Sequence, residues 1–397
     1  MTTIELNLES KVILQPLKIR KDKTHYIVEK EETGEFFEMP EICIEAIKKI
    51  NNRESLATIE EQLIENYKEE EVDLLDFLQQ LIDLGLVKEV DGKEIITYTK
   101  DQSTTGFTSI SPTFAALLFN RLTIPLFIIL IIANFGIFAF YTDLLPTYTD
   151  IFIFDSMVFN ILTYMMLSLI LIILHEFGHI LAIRSFDLPA NVQIGNRLFL
   201  VVAETDLTAA WKLPSKQRNR LFLGGMFIDQ LILITVLIVK LSVSIDHFVI
   251  NGILSLVVLD IFVKTIYQCC FYMKTDLYYL FENITGCYNL MENGKNHLAK
   301  WVPFIKVDNT TTIFEEEEKI VKLYGVFSFI GVLLTMCLFI IYFIPQTIYL
   351  MVNTLPHLMN PSGNPYFWDA LVIVAQFVLI ISLLIYSIRK KRKSASA

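Results

Sequence analysis

Beyond residue 115 the chain is a series of apolar runs separated by short polar breaks. The runs cover residues 122–141, 157–183, 221–239, 248–271, 323–344 and 371–388. Each is close to the roughly 20 residues that an α-helix needs to cross the hydrocarbon core of a bilayer. The pattern predicts a mainly α, polytopic membrane protein with about six transmembrane helices over residues 115–397. No internal repeat is visible along it.

The first hundred residues follow shorter periods. Residues 11–20, 25–29 and 35–39 carry strand-like apolar positions, the last run after the turn Glu32-Thr33-Gly34. From Pro40 onward Ile44, Ile47 and Ile50 recur at helical spacing. A second helix fits residues 58–67, with Ile59, Leu63 and Ile64 on one face. A third fits residues 71–84, where Leu74, Leu78 and Leu81 form the stripe. Phe77 falls off that stripe, on the side of Asp73 and Gln80, and is expected to be exposed. Three strands followed by three helices predict a small α+β, winged-helix-like domain over residues 1–100. The polar residues 101–114 then read as a linker.

Composition supports the membrane assignment and places the charge. The 397 residues are 53% hydrophobic, with a mean hydropathy of +0.50. Residues 1–100 hold 13 Lys/Arg against 23 Asp/Glu, a net of −10, which equals the net charge of the whole chain. The acidic surplus therefore belongs to the N-terminal domain. It argues against nucleic acid as a partner and permits a basic peptide. The N-terminus lacks a basic segment followed by an apolar one, so no signal peptide is expected. Five cysteines without a CxxC pair argue against a disulfide framework, and the adjacent Cys269 and Cys270 read as buried small residues.

Orientation follows from the basic residues. The run Arg389-Lys390-Lys391-Arg392-Lys393 after the last span belongs in the cytoplasm, and six spans put the N-terminal domain there too. The loop holding Lys212, Lys216, Arg218 and Arg220 then also faces inward. The outer loops 142–156 and 345–367 contain no Lys or Arg. The expected location is a cell membrane, crossed several times, with both termini cytoplasmic. Low Gly and Pro with many Ile, Lys and Asn hint at a bacterial source.

The chemistry-bearing motif is His175-Glu176-Phe177-Gly178-His179, inside the second span. Histidines four residues apart on a helix present both imidazoles on one face, where they can hold one zinc ion. Glu176 beside the first ligand can take the proton of a water whose pKa the ion lowers. Ionisable residues within a membrane span are rare and usually functional. A third ligand must come from elsewhere, and the acidic candidates are Glu204, Asp206, Asp229, Asp260 and Asp276. Asp260 and Lys264 are four residues apart and can pair on one helix face. Asp229 reads as a support for the ligands or as a residue buried between helices.

A membrane-embedded HExxH, a Gly-rich start to the next span (Gly224-Gly225) and a distal Asp resemble the site-2 protease class of intramembrane metallopeptidases. The segments Met273-Lys274-Thr275-Asp276-Leu277-Tyr278-Tyr279 and Gly286-Cys287-Tyr288-Asn289-Leu290 resemble the bacterial branch that processes peptides. Its motif is Asp-Gly-Tyr followed by Asn-Leu. The resemblance covers roughly residues 115–345 and implies that Asp276 is the third zinc ligand. The chain departs from the family at Leu277, where Gly is common, and at Met226, where the span-three motif commonly has Gly-Pro.

The first hundred residues resemble, by their order of strands and helices, the PqqD-like peptide-recognition elements of ribosomal peptide maturation. That resemblance implies that a leader peptide adds as a strand beside residues 35–39 and packs on the third helix. Phe36, Phe37 and Phe77 are then candidate peptide contacts. A generic winged-helix interaction domain is the other reading of this region. Between spans two and three, Gly195-Asn196 between β-rich runs reads as the two-residue turn of a hairpin. Its strand beyond the turn carries Leu198 and Leu200, candidates for holding substrate extended.

These features predict a zinc metallopeptidase that processes a small ribosomally made precursor peptide, a bacteriocin or a modified signalling peptide. The lipid bilayer is its environment, and a peptide exporter or modifying enzyme is a further expected partner. Two alternatives stay open: regulated intramembrane cleavage of a membrane-anchored regulator, and a transporter or immunity component that binds metal without proteolysis.

Overall fold

The computed structural model describes residues 6–394 except 24, 69–71, 96–105, 198–199, 245, 288–289, 292–293 and 295–317. The chain divides into two compact units. One is Met1–Gly106 with Leu207–Arg218; the other is Phe107–Asp206 with Asn219–Ala397.

In the N-terminal unit the first apolar run is two strands, β1 (Val12–Leu14) and β2 (Leu17–Asp22). The expected single strand over residues 11–20 is corrected here. Pro16 has no N–H to donate to a ladder, so the chain changes sheets at that point. The strands β3 (His25–Lys30) and β4 (Glu35–Met39) follow, and the antiparallel order is β2-β3-β4, with β4 at an edge. The helices are α1 (Glu41–Asn51), α2 (Leu56–Asn66) and α3 (Leu74–Asp83). Ser55 caps α2 by accepting from Thr58 N–H, and Asp73 caps α3 by accepting from Asp76 N–H. These caps fix helix starts that periodicity alone placed a few residues away. Two strands that the sequence did not signal, β5 (Val87–Val90) and β6 (Lys93–Glu94), complete a second sheet, β1-β5-β6. The core gathers Val28, Ile44, Ile47, Ile59, Leu74 and Leu78.

Alternation along β2–β4 puts Ile19, Val28 and Phe37 on the core face. The opposite face carries Arg20, Asp22, Ile27 and Glu29, and here the segment Leu207–Arg218 packs. Arg20 donates to the Trp211 carbonyl at 2.7 Å, Lys212 pairs with Glu29 at 3.4 Å, and Arg218 pairs with Asp22. Arg218 is fully buried, and its guanidinium lies 4.3 Å over the Trp211 ring. Removing one partner of a buried ion pair leaves an uncompensated charge, at a cost of about 3–5 kcal/mol. Asp22→Ala is therefore expected to destabilise this unit by that amount. Urea unfolding followed by Trp211 fluorescence, with Trp301 and Trp368 changed to Phe, checks it. A shift of under about 1 kcal/mol would show that the pair is solvated.

The second unit is helical. After the short α4 (Pro112–Leu118) come α5 (Thr123–Phe140) and α6 (Met157–Arg184). A hairpin of β7 (Asn191–Arg197) and β8 (Leu200–Asp206) follows, then α7 (Ser215–Phe222), α8 (Gly224–Ser242), α9 (Phe248–Tyr267) and α10 (Asp276–Thr285). The last helices are α11 (Glu318–Leu338), α12 (Ile344–Thr354) and α13 (Pro365–Ser394). Among the described residues, six helical segments are long and apolar enough to cross a membrane, and the chain is a polytopic membrane protein. Their outward residues suit lipid: Phe135 and Phe140 of α5 are 76% and 86% exposed.

Three expectations are corrected in this unit. The expected span 221–239 is broken at Leu223, so that Leu221 and Phe222 belong to α7. The fifth span does not stop at residue 344. A π-helical turn, Phe339–Phe343, precedes Pro345, and the helix runs on to Thr354. Proline is tolerated there because it falls in the first turn of α12. In the hairpin, Gly195 and Asn196 are not the turn. They pair with Val202 and Val201, and Arg197 pairs with Leu200, so the connection falls on residues 198–199, outside the described residues.

Candidate metal centre

The centre forms where α6 and α8 meet through glycines. A Cβ added to Gly178 would collide with the Gly224 carbonyl oxygen, and one added to Gly224 would lie 2.8 Å from the Gly178 oxygen. The two backbones therefore touch, as small residues allow in membrane helices. This contact sets Gly225 directly against the His175 imidazole, with no room between them for a Cβ.

Both imidazoles are held by their Nδ1 atoms. His175 Nδ1–H donates to Asp229 Oδ2 on α8 at 2.7 Å, and His179 Nδ1–H donates to the Leu221 carbonyl on α7 at 2.8 Å. These bonds fix the tautomers and leave both Nε2 atoms as lone-pair donors. Asp229 Oδ1 is buried without a partner among the described residues, so the carboxylate is committed to His175.

Asp276 arrives from the far side of α9. Lys274 adopts a left-handed conformation, φ 52°, which turns the chain so that Asp276 becomes the first residue of α10. A carboxylate is favoured at that end of the helix dipole. Gln268 clamps it: the side-chain amide donates to Asp276 Oδ2 at 2.9 Å, and its oxygen accepts from Asp276 N–H at 3.0 Å. Burial works against ionisation of Asp276. When protonated, the adjoining imidazoles of His179 and His175 outweigh it and hold the carboxyl well below the usual carboxylate range. Leu277 continues the helix with ordinary backbone, so a side chain is accommodated where the resembling family commonly has Gly. Met226, the other departure, is buried in α8.

Three potential ligand atoms thus converge. His175 Nε2 lies 3.1 Å from Asp276 Oδ2 and 3.3 Å from His179 Nε2, and His179 Nε2 lies 3.5 Å from Asp276 Oδ2. His175, His179 and Asp276 form a group that could hold a metal ion. Glu176, adjacent on α6, points to β8, where Thr205 donates to its carboxylate through both N–H and hydroxyl at 2.8 Å.

The remaining sequence candidates fall elsewhere. Glu204 and Asp206 flank Thr205 on β8, and Asp260 pairs with Lys264 at 2.5 Å on α9. Cys270 is buried, with its thiol 3.2 Å from Thr335 Oγ1, and neither Cys269 nor Cys270 joins the metal group. In the N-terminal unit Phe37 packs against the core and Phe36 lies on the opposite sheet face. Phe77 is corrected from exposed to half-buried, because α3 turns it toward a cleft lined by Ile42, Cys43 and Leu63. Leu198 lies outside the described residues, and Leu200 begins β8.

Sequence reasoning missed Gln268, Thr205 and the Leu221 carbonyl. None carries a local signal, since each acts only through a neighbour brought up by the fold. Asp229 did carry one, as an ionisable residue in an apolar span. Comparison of the chain with protein-family profiles, with curated proteins and with solved structures finds no match.

Proposed function

We propose that the chain is an intramembrane zinc metallopeptidase of the site-2 protease kind, and that it processes a small ribosomally made precursor peptide. The triangle of His175 Nε2, His179 Nε2 and Asp276 Oδ2, with edges of 3.1–3.5 Å, carries the reading. A tetrahedral zinc site with bonds of about 2.05 Å has edges of about 3.3 Å. Two neutral imidazoles and one carboxylate are a donor set that zinc accepts, and they leave one position open. When bound, zinc supplies the Lewis acidity that lowers the pKa of a water and polarises a peptide carbonyl.

The chain's own residues do the rest. Glu176 takes a proton from the attacking water and passes it to the leaving amine. Asp229 and the Leu221 carbonyl keep both imidazoles in the ligating tautomer. Gln268 keeps Asp276 aimed at the same point. An intact base beside the ligands favours peptidase over a metal-binding transporter, which has no need of one.

The N-terminal unit supports a peptide as substrate. Among the described strands β4 pairs with β3 alone, an edge position that suits strand addition. The net charge of −10 over residues 1–100 suits a basic leader. The basic run at residues 389–393 favours a cytoplasmic placement of both termini, where such a peptide is made.

The test uses the full chain in lipid nanodiscs and a peptide library made from a digested bacterial proteome. Zinc-loaded protein is expected to generate new peptide termini, detected by mass spectrometry. Stripping the metal with a chelator should abolish them and added zinc restore them. Cleavage that survives complete metal removal would sink the proposal, as would no cleavage by the zinc-loaded protein.

A further inference from the structure

Most of the polar groups around the centre serve the three ligand atoms. Thr205 serves Glu176 instead. It lies on β8, opposite Val192 of β7, and is 9% exposed. Its N–H is not spent on the hairpin ladder but reaches Glu176 Oε2 at 2.8 Å. Its hydroxyl reaches the same oxygen at 2.8 Å and lies 3.3 Å from the Glu176 carbonyl. One residue thus grips both the carboxylate and the backbone of Glu176.

Both donors bind Oε2, which leaves Oε1 without a protein donor among the described residues. A carboxylate with one oxygen tethered cannot swing about its terminal torsion, which is otherwise broad and two-fold. Charge-assisted bonds to a buried donor pair are the strong kind. The grip therefore selects one rotamer and presents one oxygen as the proton acceptor.

We propose that Thr205 is a positioning residue for the peptidase reaction, which holds Glu176 by Oε2 so that Oε1 faces the reacting water. The inference rests on the metallopeptidase reading and adds β8 to the machinery. The hairpin is then part of the centre's alignment as well as a neighbour of it. Threonine suits the place because its β-branch favours a strand while its hydroxyl supplies the second donor.

The experiment compares Thr205→Val, Thr205→Ser and wild type as full chains in nanodiscs, with Glu176→Gln as a reference. The probe is whichever library peptide wild type cleaves fastest. Valine keeps the shape and the backbone N–H but removes the hydroxyl; serine keeps the hydroxyl. Thr205→Val is expected to lower kcat by roughly 10- to 100-fold, the scale of a misaligned catalytic group. KM should stay within about twofold, zinc content should match wild type, and Thr205→Ser should recover kcat to within about threefold. Wild-type kcat in Thr205→Val would overturn the inference. So would a Thr205→Ser variant as slow as the valine form. Loss of zinc from Thr205→Val would overturn it as well, because the hydroxyl would then be supporting the ligand helix and not the base. All three outcomes leave the metallopeptidase reading standing while Glu176→Gln is inactive. Failure of that reading is registered separately, by retained cleavage in Glu176→Gln.

Discussion

Glu176→Gln is expected to keep its full complement of zinc and to lose peptide cleavage by roughly 100- to 10,000-fold, the range that a positioned acid–base group contributes. The substitution is nearly isosteric. The glutamine carbonyl oxygen can take the place of Oε2 and accept from the Thr205 N–H and hydroxyl, which lie 2.8 Å away in the wild-type chain. The amide nitrogen then occupies the place of Oε1, where it can donate but cannot take up a proton. None of the three candidate ligand atoms is touched. Zinc analysis and the peptide library read the two effects independently. Unchanged processing by this variant would remove Glu176 from the reaction and the peptidase reading with it.

Gly225→Ala is expected to lower zinc affinity by at least about 10- to 100-fold without altering any ligand, the scale seen when groups behind a metal ligand are disturbed. The methyl group would meet Nε2 of His175, with Cε1 of the same ring at 2.6 Å. Two polar contacts hold the imidazole where it stands. Asp229 holds its Nδ1 at 2.7 Å and Asp276 lies 3.1 Å from its Nε2. The ring must leave its bond to Asp229 or leave the ligand triangle. Gly136→Ala on α5 is the matched control, because its Cβ would meet nothing within 4 Å. That control should keep zinc and gain about 1 kcal/mol of helix preference. Competition for zinc against a fluorescent chelator reads both variants. Wild-type affinity in Gly225→Ala would mean that His175 does not stand over Gly225.

What could be read from the sequence was local. The six apolar runs and the HEFGH motif depend on spacing within one helix, and α6 carries His175, Glu176 and His179 as that spacing implies. The third member of the candidate group depends on where a distant helix begins, so spacing left five acidic candidates. Asp276 was singled out by resemblance, and the structure brings it within 3.1 Å of His175. The hairpin was found but its turn was misplaced. Gly195-Asn196 has the composition of a tight turn, yet pairing from Asn191↔Asp206 onward carries the strands past it. The wing strands β5 and β6 are too short to show a period. The fifth apolar run stops at residue 344, yet the helix continues past Pro345 through a π-helical turn. The cover on the second face of β2–β4 was out of reach altogether, since nothing near Ile27 names residues two spans away.

That cover has a consequence for how the protein can be made. The N-terminal unit is not a contiguous stretch of chain, because its closing piece is Leu207–Arg218. On the ribosome it must wait for Arg218, which pairs with Asp22, until α5 and α6 have been synthesised. A fragment ending at Gly106 is thus an unfinished fold, and a peptide-binding study on it would add to the β4 edge a sheet face that the segment Leu207–Arg218 covers. Fusing residues 207–218 to the fragment through a short linker would restore the missing layer.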